Sequence, residues 1–293
     1  MDETIVFFIM TNKGYFVLNQ YLKDFNAKNI EFVVIGKDNH LTKDYSFEIE
    51  ELCKLNHILY YYNKDKFYIK SSYSIAISWR WMIRSQNKLI VLHDSLLPKY
   101  RGFGPLVNAL INGEETIGVT ALFANEEYDR GNIISQSSVN IDYPMKISEA
   151  IATINPLYYH VLKDILVNIF NHHDIISVPQ NEELASYSLW RDEDDYMINW
   201  NDDSTHIKRF IDAVGNPYSG ASGILDNYKV RINNAEIFED VPIETRCPGK
   251  VIFIKNGEPI VVCGKGLLRI TDITDDQTKK NLIPFTKIRV RFK

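Results

Sequence analysis

The chain has 293 residues, 45% of them apolar, which is enough for one large domain or two modest ones. Its net charge is −5, so the chain as a whole is not built to coat a phosphate backbone, and we expect no nucleic-acid partner. The charge is uneven. Residues 206–293 contain 15 Lys and Arg against 10 Asp and Glu, and the residues before them contain 18 against 28. This asymmetry predicts an acidic body followed by a mildly basic second unit.

The cysteines and the N-terminus predict a cytoplasmic protein. Cys53, Cys247 and Cys263 show no CxxC spacing and cannot all pair, which favours reduced, packed thiols. The N-terminal residues MDETIVFFIM lack the cationic start of a signal peptide. No stretch of the sequence approaches the ~18 apolar residues of a membrane span, so we expect no membrane partner.

Short β-rich runs alternate with helical patterns in the first half of the chain. The patterns predict strands at 4–10, 30–36, 73–79, 88–93, 116–125 and 131–141, and helices at 14–25, 47–58 and 104–115. This alternation predicts a Rossmann-like α/β fold with a mostly parallel sheet.

The second half of the chain changes character. A long helical stretch from Met145 to about His172 is interrupted by Pro156, and a polar, irregular segment follows. After a helix at 205–215, short strands recur between glycine turns, which predicts a small β-barrel or sandwich. We therefore expect a catalytic domain at 1–178, a linker at 179–205 and a β-rich domain at 206–293.

Two polar positions stand out against this framework. His93 ends the apolar run KLIVL, and ligands of open α/β sheets lie beyond the carboxyl ends of the strands. Lys99 and Arg101 follow it, just before a helix that starts near Gly104, whose free N–H groups favour an anion. Asp129 lies in a polar loop between two later strands, and we expect that loop at the same edge of the sheet.

The segment HDSLLPKYRG, followed by NGEETIGVT and DRGNII, resembles the N10-formyltetrahydrofolate-dependent formyltransferases. That family includes methionyl-tRNA, glycinamide ribonucleotide and nucleotide-sugar formyltransferases. YSIAISWRWMI is similar to the folate-side strand and loop of the family, and INWNDDSTHIKRFIDAVGNPYSGA to the junction into the second domain of its two-domain members. The β-rich end is similar to their OB-type C-terminal domain. The resemblance covers essentially the whole chain.

The resemblance implies three catalytic residues: an Asn two positions before the His, the His itself, and the Asp of DxG. His93 and Asp129 match the pattern, but position 91 is Val. In the family that Asn helps to polarise the formyl carbonyl, and losing one oxyanion donor typically costs ~3–4 kcal/mol. The sequence leaves three replacements open: protonated His93, a backbone N–H, or a nearby side chain such as Asp94 or Ser95. No metal is implied.

The same resemblance suggests binding residues for the co-substrate, N10-formyltetrahydrofolate, and for the acceptor. The folate-side candidates are Trp79, Arg80, Trp81, Met82, Asn125 and Asp129. The acceptor-side candidates are Ser95, Lys99, Arg101, Trp190 and Tyr218, with the two cations placed for a diphosphate and the two aromatic rings for a nucleobase. Ordinary packing or surface roles compete with each of these assignments.

Three acceptor classes are compatible with the family. An initiator tRNA would call for a strong basic surface, which this acidic sequence lacks, and glycinamide ribonucleotide enzymes are typically single-domain. A nucleotide-linked amino sugar remains, of the UDP- or dTDP-4-amino-dideoxyhexose type, and the pseudaminic-acid-type pathway is one setting for such an acceptor. Two alternatives stay open: a methionyl-tRNA formyltransferase, and a homologue that binds folate or nucleotide sugar without turnover because of Val91. The sequence leaves open a homodimer.

Overall fold

The computed structural model describes residues 3–39, 41–84 and 86–293, and the chain divides into two compact units. The first unit runs from the N-terminus to Leu106 and includes Glu115–Ile141 and Ala150–Leu189. The second unit comprises Val107–Glu114, Asp142–Glu149 and Trp190–Lys293. The division at Leu189 falls inside the segment predicted as a linker. Within the described part of the chain, no helix is both long and apolar enough to cross a membrane.

The first unit contains a seven-stranded sheet, with two further short strands paired to each other. The strands are β1 Ile5–Ile9, β2 Ile30–Ile35, β3 Tyr60–Tyr62, β4 Tyr73–Ile77, β5 Lys88–His93, β6 Arg101–Gly102, β7 Thr116–Phe123, β8 Ile133–Asn140 and β9 Tyr187–Ser188. The large sheet has the order β3-β2-β1-β4-β5-β7-β8. Its first five strands are parallel to one another, and β7 is antiparallel to both of its neighbours, β5 and β8. The predicted mostly parallel sheet is confirmed. The sequence patterns did not reveal β3, β6 and β9, which have two or three residues each.

The antiparallel direction of β7 determines at which end of the sheet the loop between β7 and β8 begins. Because β7 is antiparallel to β5, His93 lies opposite Thr120, near the middle of β7, and Ile90 lies opposite Phe123 at its end. The loop after β7 therefore starts at the edge where β5 begins, and the Ala124 N–H donates to the Leu89 carbonyl at 2.8 Å. We expected this loop to lie at the carboxyl end of β5, where His93 lies. That expectation is wrong for the start of the loop, which lies near the beginning of β5.

Four α-helices precede residue 180 in the described part of the chain: α1 Thr11–Asp24, α2 Ser46–Leu55, α3 Pro105–Asn112 and α4 Ile147–Phe170. Most of α3 and the start of α4 belong to the second unit. Helix α1 starts three residues earlier than predicted. Helix α4 continues through Pro156, where the sequence suggested an interruption. Its apolar face, which includes Ile154 and Tyr158, is fully buried, and that burial offsets the single backbone hydrogen bond that a proline removes.

One face of the parallel sheet carries a buried apolar cluster of Val6, Phe8, Phe32, Val34 and Ala76. Leu89 and Val91 of β5 and Trp79, just beyond β4, pack against this cluster. Since alternate residues of a strand share a face, His93 lies on the same side of β5 as Val91.

The second unit contains helix α5 Ser204–Ala213 and a five-stranded antiparallel sheet. Its strands are β10 Ala221–Leu225, β11 Tyr228–Phe238, β12 Val251–Lys255, β13 Glu258–Val262 and β14 Leu267–Asp275, in the order β10-β11-β14-β13-β12. The last residues of the chain join the two edges, because Leu225 pairs with Phe292 and Lys250 with Arg291. The predicted β-rich C-terminal domain is confirmed.

Candidate active site

His93 occupies the carboxyl end of β5 and is almost fully buried. Its Nε2 lies 2.8 Å from the carbonyl oxygen of Tyr100, and its Nδ1 lies 3.5 Å from Oδ1 of Asp129. Both ring nitrogens thus face acceptors, and each can carry a proton. An imidazole held between a carbonyl and a carboxylate is suited to taking up and returning a proton.

Asp129 reaches His93 although its loop starts at the other edge of the sheet. Residues 124–131 fold back along the strands, and Asp129 adopts a left-handed backbone with φ 55°. Its second oxygen, Oδ2, accepts a hydrogen bond from the Gly102 N–H at 2.8 Å. The structure therefore brings the two predicted catalytic residues together, and the backbone of the HDSLLPKYRG loop fixes the carboxylate.

Gly102, the last residue of the HDSLLPKYRG segment, has a backbone conformation that favours glycine. Its φ is +101°, and a Cβ at this position would lie 2.5 Å from the Ser188 carbonyl oxygen. A larger residue would strain the backbone and separate β6 from β9. Glycine is required here for close backbone approach, which keeps the N–H aimed at Asp129.

Ser95 has a structural role in the same loop. Its hydroxyl donates to the Lys99 carbonyl at 2.7 Å, and its carbonyl accepts from the Thr120 hydroxyl at 2.6 Å. These bonds hold the loop in place beside His93. The Lys99 side chain is exposed, as a contact with a charged ligand would require.

Arg101 differs from its sequence prediction as a diphosphate contact. The side chain is completely buried, and its guanidinium donates to both carboxylate oxygens of Glu182 at 2.8 Å and to Oε1 of Gln180. Because Arg101 hydrogen-bonds to it, the pKa of Glu182 is lowered to about 2. Arg101 is thus engaged inside the protein, and we assign it a structural role in place of contact with acceptor phosphate.

Four of the folate-side candidates, Trp79, Arg80, Trp81 and Met82, follow the carboxyl end of β4. Trp79 contacts Phe8 and Trp81 edge-on, with ring centroids 5.3 and 5.0 Å apart, and its buried Nε1 has no hydrogen-bond partner among the described residues. Trp81 and Met82 remain 38% and 57% exposed. Arg80 forms an ion pair with buried Asp38, which follows β2. An aromatic surface with an orphaned donor beside it fits a flat heterocycle.

The remaining predicted residues have more open settings. Asn125 is exposed, and its side-chain oxygen accepts from the Glu127 N–H at 3.0 Å. Trp190 and Tyr218 belong to the second unit, where Trp190 is 62% exposed and Tyr218 is half-buried. Val91 is half-buried against the apolar cluster and offers no hydrogen-bond donor in its side chain.

No sequence pattern pointed to Gln180, which is 51 residues from Asp129. Its Nε2 donates to the carbonyls of Asp129 and Gly131 at 2.7 and 2.8 Å. A partner so distant in sequence becomes visible only in the fold. The described residues contain no group of three or more His, Cys, Asp or Glu side chains placed to hold a metal ion.

The fold and the His–carboxylate pair define an α/β enzyme with an acid–base site at the end of a strand. Sequence comparison makes the assignment narrower. A profile for "Formyl transferase" matches residues 26–156, and one for "Formyl transferase, C-terminal domain" matches residues 191–283. Together they cover most of the chain, which therefore belongs to the formyltransferase family, whose members transfer one-carbon groups.

Individual relatives differ in their acceptors. Methionyl-tRNA formyltransferase of Ruminiclostridium cellulolyticum is 28% identical over 191 residues, 65% of this chain and 61% of that protein. The chain thus spans about three-fifths of that curated relative. WlaRD, a sugar 3N-formyltransferase solved in the presence of dTDP and 5-N-formyl-THF, matches with a TM-score of 0.68 at 20% identity, covering 92% of this chain and 97% of WlaRD. The N-formyltransferase of Helicobacter canadensis, solved with folinic acid and dTDP-3-aminofucose, matches with a TM-score of 0.68 at 19% identity, covering 92% and 98%. At these identities the two structures establish a shared fold.

Proposed function

We propose that this protein transfers a formyl group from N10-formyltetrahydrofolate to the primary amine of a nucleotide-linked amino sugar. The observation that carries the proposal is the His93–Asp129 pair at the carboxyl end of β5. The neighbouring parallel strand β4 leads into the exposed Trp81 and Met82. The folate supplies the activated formyl group. The protein must then orient an amine, move one proton and stabilise a developing oxyanion.

His93 is the group that moves the proton. A primary amine that attacks a formyl carbon must lose a proton, and the folate nitrogen that leaves must gain one. Nε2 of His93 is the ring nitrogen for this transfer, because Nδ1 faces Asp129. Its present contact with the Tyr100 carbonyl must give way to the amine. Asp129 holds the orientation of the imidazole ring.

Because position 91 is Val, the chain lacks the Asn side chain that the family pattern places near the oxyanion. Backbone N–H groups and the protonated His93 are the donors that we assign to this task. Val91→Asn tests the assignment, because a large increase in turnover would mean that no other group had replaced the missing amide. His93→Ala should reduce turnover by about 10²–10⁴-fold while folate affinity stays nearly intact. Folate binding without release for any acceptor would favour the non-catalytic alternative.

The sugar acceptor is supported by charge and by structural likeness. The chain carries a net charge of −5, whereas a tRNA-binding enzyme gains affinity by neutralising phosphates. WlaRD is a sugar 3N-formyltransferase, and the Helicobacter canadensis N-formyltransferase was solved with dTDP-3-aminofucose; this chain matches both over almost their full length. The curated relatives at higher identity favour a second candidate, formylation of methionyl-tRNA.

A direct comparison of acceptors tests the proposal. Release of tetrahydrofolate is followed with UDP- and dTDP-linked 4-amino-dideoxyhexoses and with charged initiator tRNA. Thermal stabilisation by UDP, dTDP and tRNA is measured in parallel, and a nucleotide at tenfold its Kd should stabilise the protein by about 1.4 kcal/mol. Turnover with an amino sugar supports the proposal. Salt-sensitive tRNA binding with no nucleotide effect would replace it with the tRNA candidate.

A further inference from the structure

A third segment connects the two loops that carry His93 and Asp129. It runs from Gln180 to Ser188, and its end pairs with the HDSLLPKYRG loop through β6 and β9. The Tyr100 N–H donates to the Ser186 hydroxyl at 2.9 Å, and the Ser186 N–H donates to the Pro98 carbonyl at 3.2 Å. This segment is therefore fixed against the loop that follows His93.

Gln180 extends the connection to the Asp129 loop. Its two N–H donors meet the carbonyls of Asp129 and Gly131 at 2.7 and 2.8 Å. Its oxygen accepts from Nη2 and Nε of Arg101 at 2.8 and 3.1 Å. The amide thus uses both donors and both acceptor positions. One side chain links Arg101, next to Gly102, to the residue that faces His93.

The Asp129 loop needs such a link. It starts at the far edge of the sheet, and Asp129 holds a left-handed backbone that a non-glycine residue keeps only when its surroundings impose it. Among the described residues, the Asp129 carboxylate contacts the Gly102 N–H at 2.8 Å and Nδ1 of His93 at 3.5 Å. Its backbone carbonyl is bound by Gln180, whose other end is anchored on fully buried Arg101.

We propose that Gln180 is a positioning residue that sets the Asp129 carboxylate against His93, with Arg101 and Glu182 as its fixed support. The inference rests on the proposed function in assigning catalytic work to the His93–Asp129 pair. It assigns no substrate contact to Gln180. Its effect passes through the backbone of Asp129.

Gln180→Glu keeps the hydrogen-bond acceptor of the side chain and removes its N–H donors. A carboxylate still accepts from Arg101, but its second oxygen replaces the N–H donors and faces the carbonyls of Asp129 and Gly131. The loop that carries Asp129 should move away from residue 180, which displaces the Asp129 carboxylate from His93. We therefore expect kcat to fall about 10- to 100-fold, with KM unchanged for both substrates. A matched control is Asn29→Asp. Asn29 is also half-buried and donates its amide to a backbone carbonyl, that of Glu3 at 3.1 Å, before the start of β2. The control should lower thermal stability to a similar extent and leave kcat unchanged.

Two further measurements decide whether Gln180 acts through Asp129. In an Asp129→Asn background, Gln180→Glu should cause no additional loss of kcat. An equal loss in both backgrounds would overturn the inference. A crystal structure of the Gln180→Glu variant should show the Asp129 carboxylate displaced from His93 by about 1 Å or more. A carboxylate that stays in place would overturn the inference, whichever acceptor the enzyme uses. If the carboxylate is displaced but the parent protein formylates none of the acceptors, the proposed function alone would be wrong.

Discussion

The ion pair between Lys13 and Asp94 offers a sharp test of how the active-site loop is held. Lys13 lies in the first turn of α1, and Asp94 directly follows His93; their side chains are 10% and 16% exposed. The start of a helix is an unfavourable place for a cation, because the free N–H groups there carry partial positive charge. We therefore attribute the presence of Lys13 to its pairing with Asp94.

Lys13→Met keeps most of the side-chain length and removes the charge. It leaves the Asp94 carboxylate mostly buried without its cation, a change that typically costs about 3–5 kcal/mol. For a domain of this size each kcal/mol lowers the melting temperature by about 2–4 °C, so we expect a decrease of about 6–20 °C. Turnover should fall as well, since a displaced Asp94 moves the adjoining His93.

Lys163→Met is the matched control. Lys163 pairs with Asp24 at the end of α1 at 2.7 Å, and the two side chains are 48% and 36% exposed. Because water screens this pair, its loss should have no measurable effect on melting or turnover. Thermal melts of the two variants and the parent protein provide the comparison. Equal, small shifts for both variants would refute the reasoning that burial makes the Lys13 pair important.

Three further predictions concern other groups. Asp129→Asn preserves shape but presents an amide N–H towards His93, so turnover should fall about 10²–10⁴-fold at nearly unchanged melting temperature; steady-state kinetics that match the parent would contradict this. Because the pKa of Glu182 is lowered from 4.5 to about 2 by Arg101, its stabilisation is complete above pH 4.5 and is lost as the pH falls towards 2. The melting-temperature difference between the parent and Glu182→Gln should therefore be largest at neutral pH and shrink over that range. Of the three free thiols, only that of Cys247 should react with an aromatic disulfide reagent in the native protein, since burial raises the pKa of the other two to about 12.

Much of the framework was predictable because it depends on local patterns. Apolar runs marked four of the five described parallel strands, all but β3, and His93 at the end of one run marked the site. The direction of β7 was not predictable, since an eight-residue buried strand reads the same in either orientation. The path of the loop that carries Asp129 was hidden for the same reason.

Charge alone also could not separate an exposed arginine from a buried one. Arg101 looked like an anion contact because it precedes a helix, yet its partners, Gln180 and Glu182, lie about eighty residues further along the chain. Long-range pairing of this kind leaves no trace in spacing or periodicity. The same holds for Lys13 and Asp94, which are 81 residues apart.

The pairing of residues 290–293 with both margins of the C-terminal sheet has a consequence for biosynthesis. The Ile224 N–H donates to the Lys293 carbonyl, and the Phe292 N–H donates to the Gly249 carbonyl, each at 2.8 Å. During translation, β10 and β12 keep open backbone groups until residues 290–293 have been made. The second unit should therefore be exposed to misassociation between nascent chains for longer than the first, whose strands all precede residue 190.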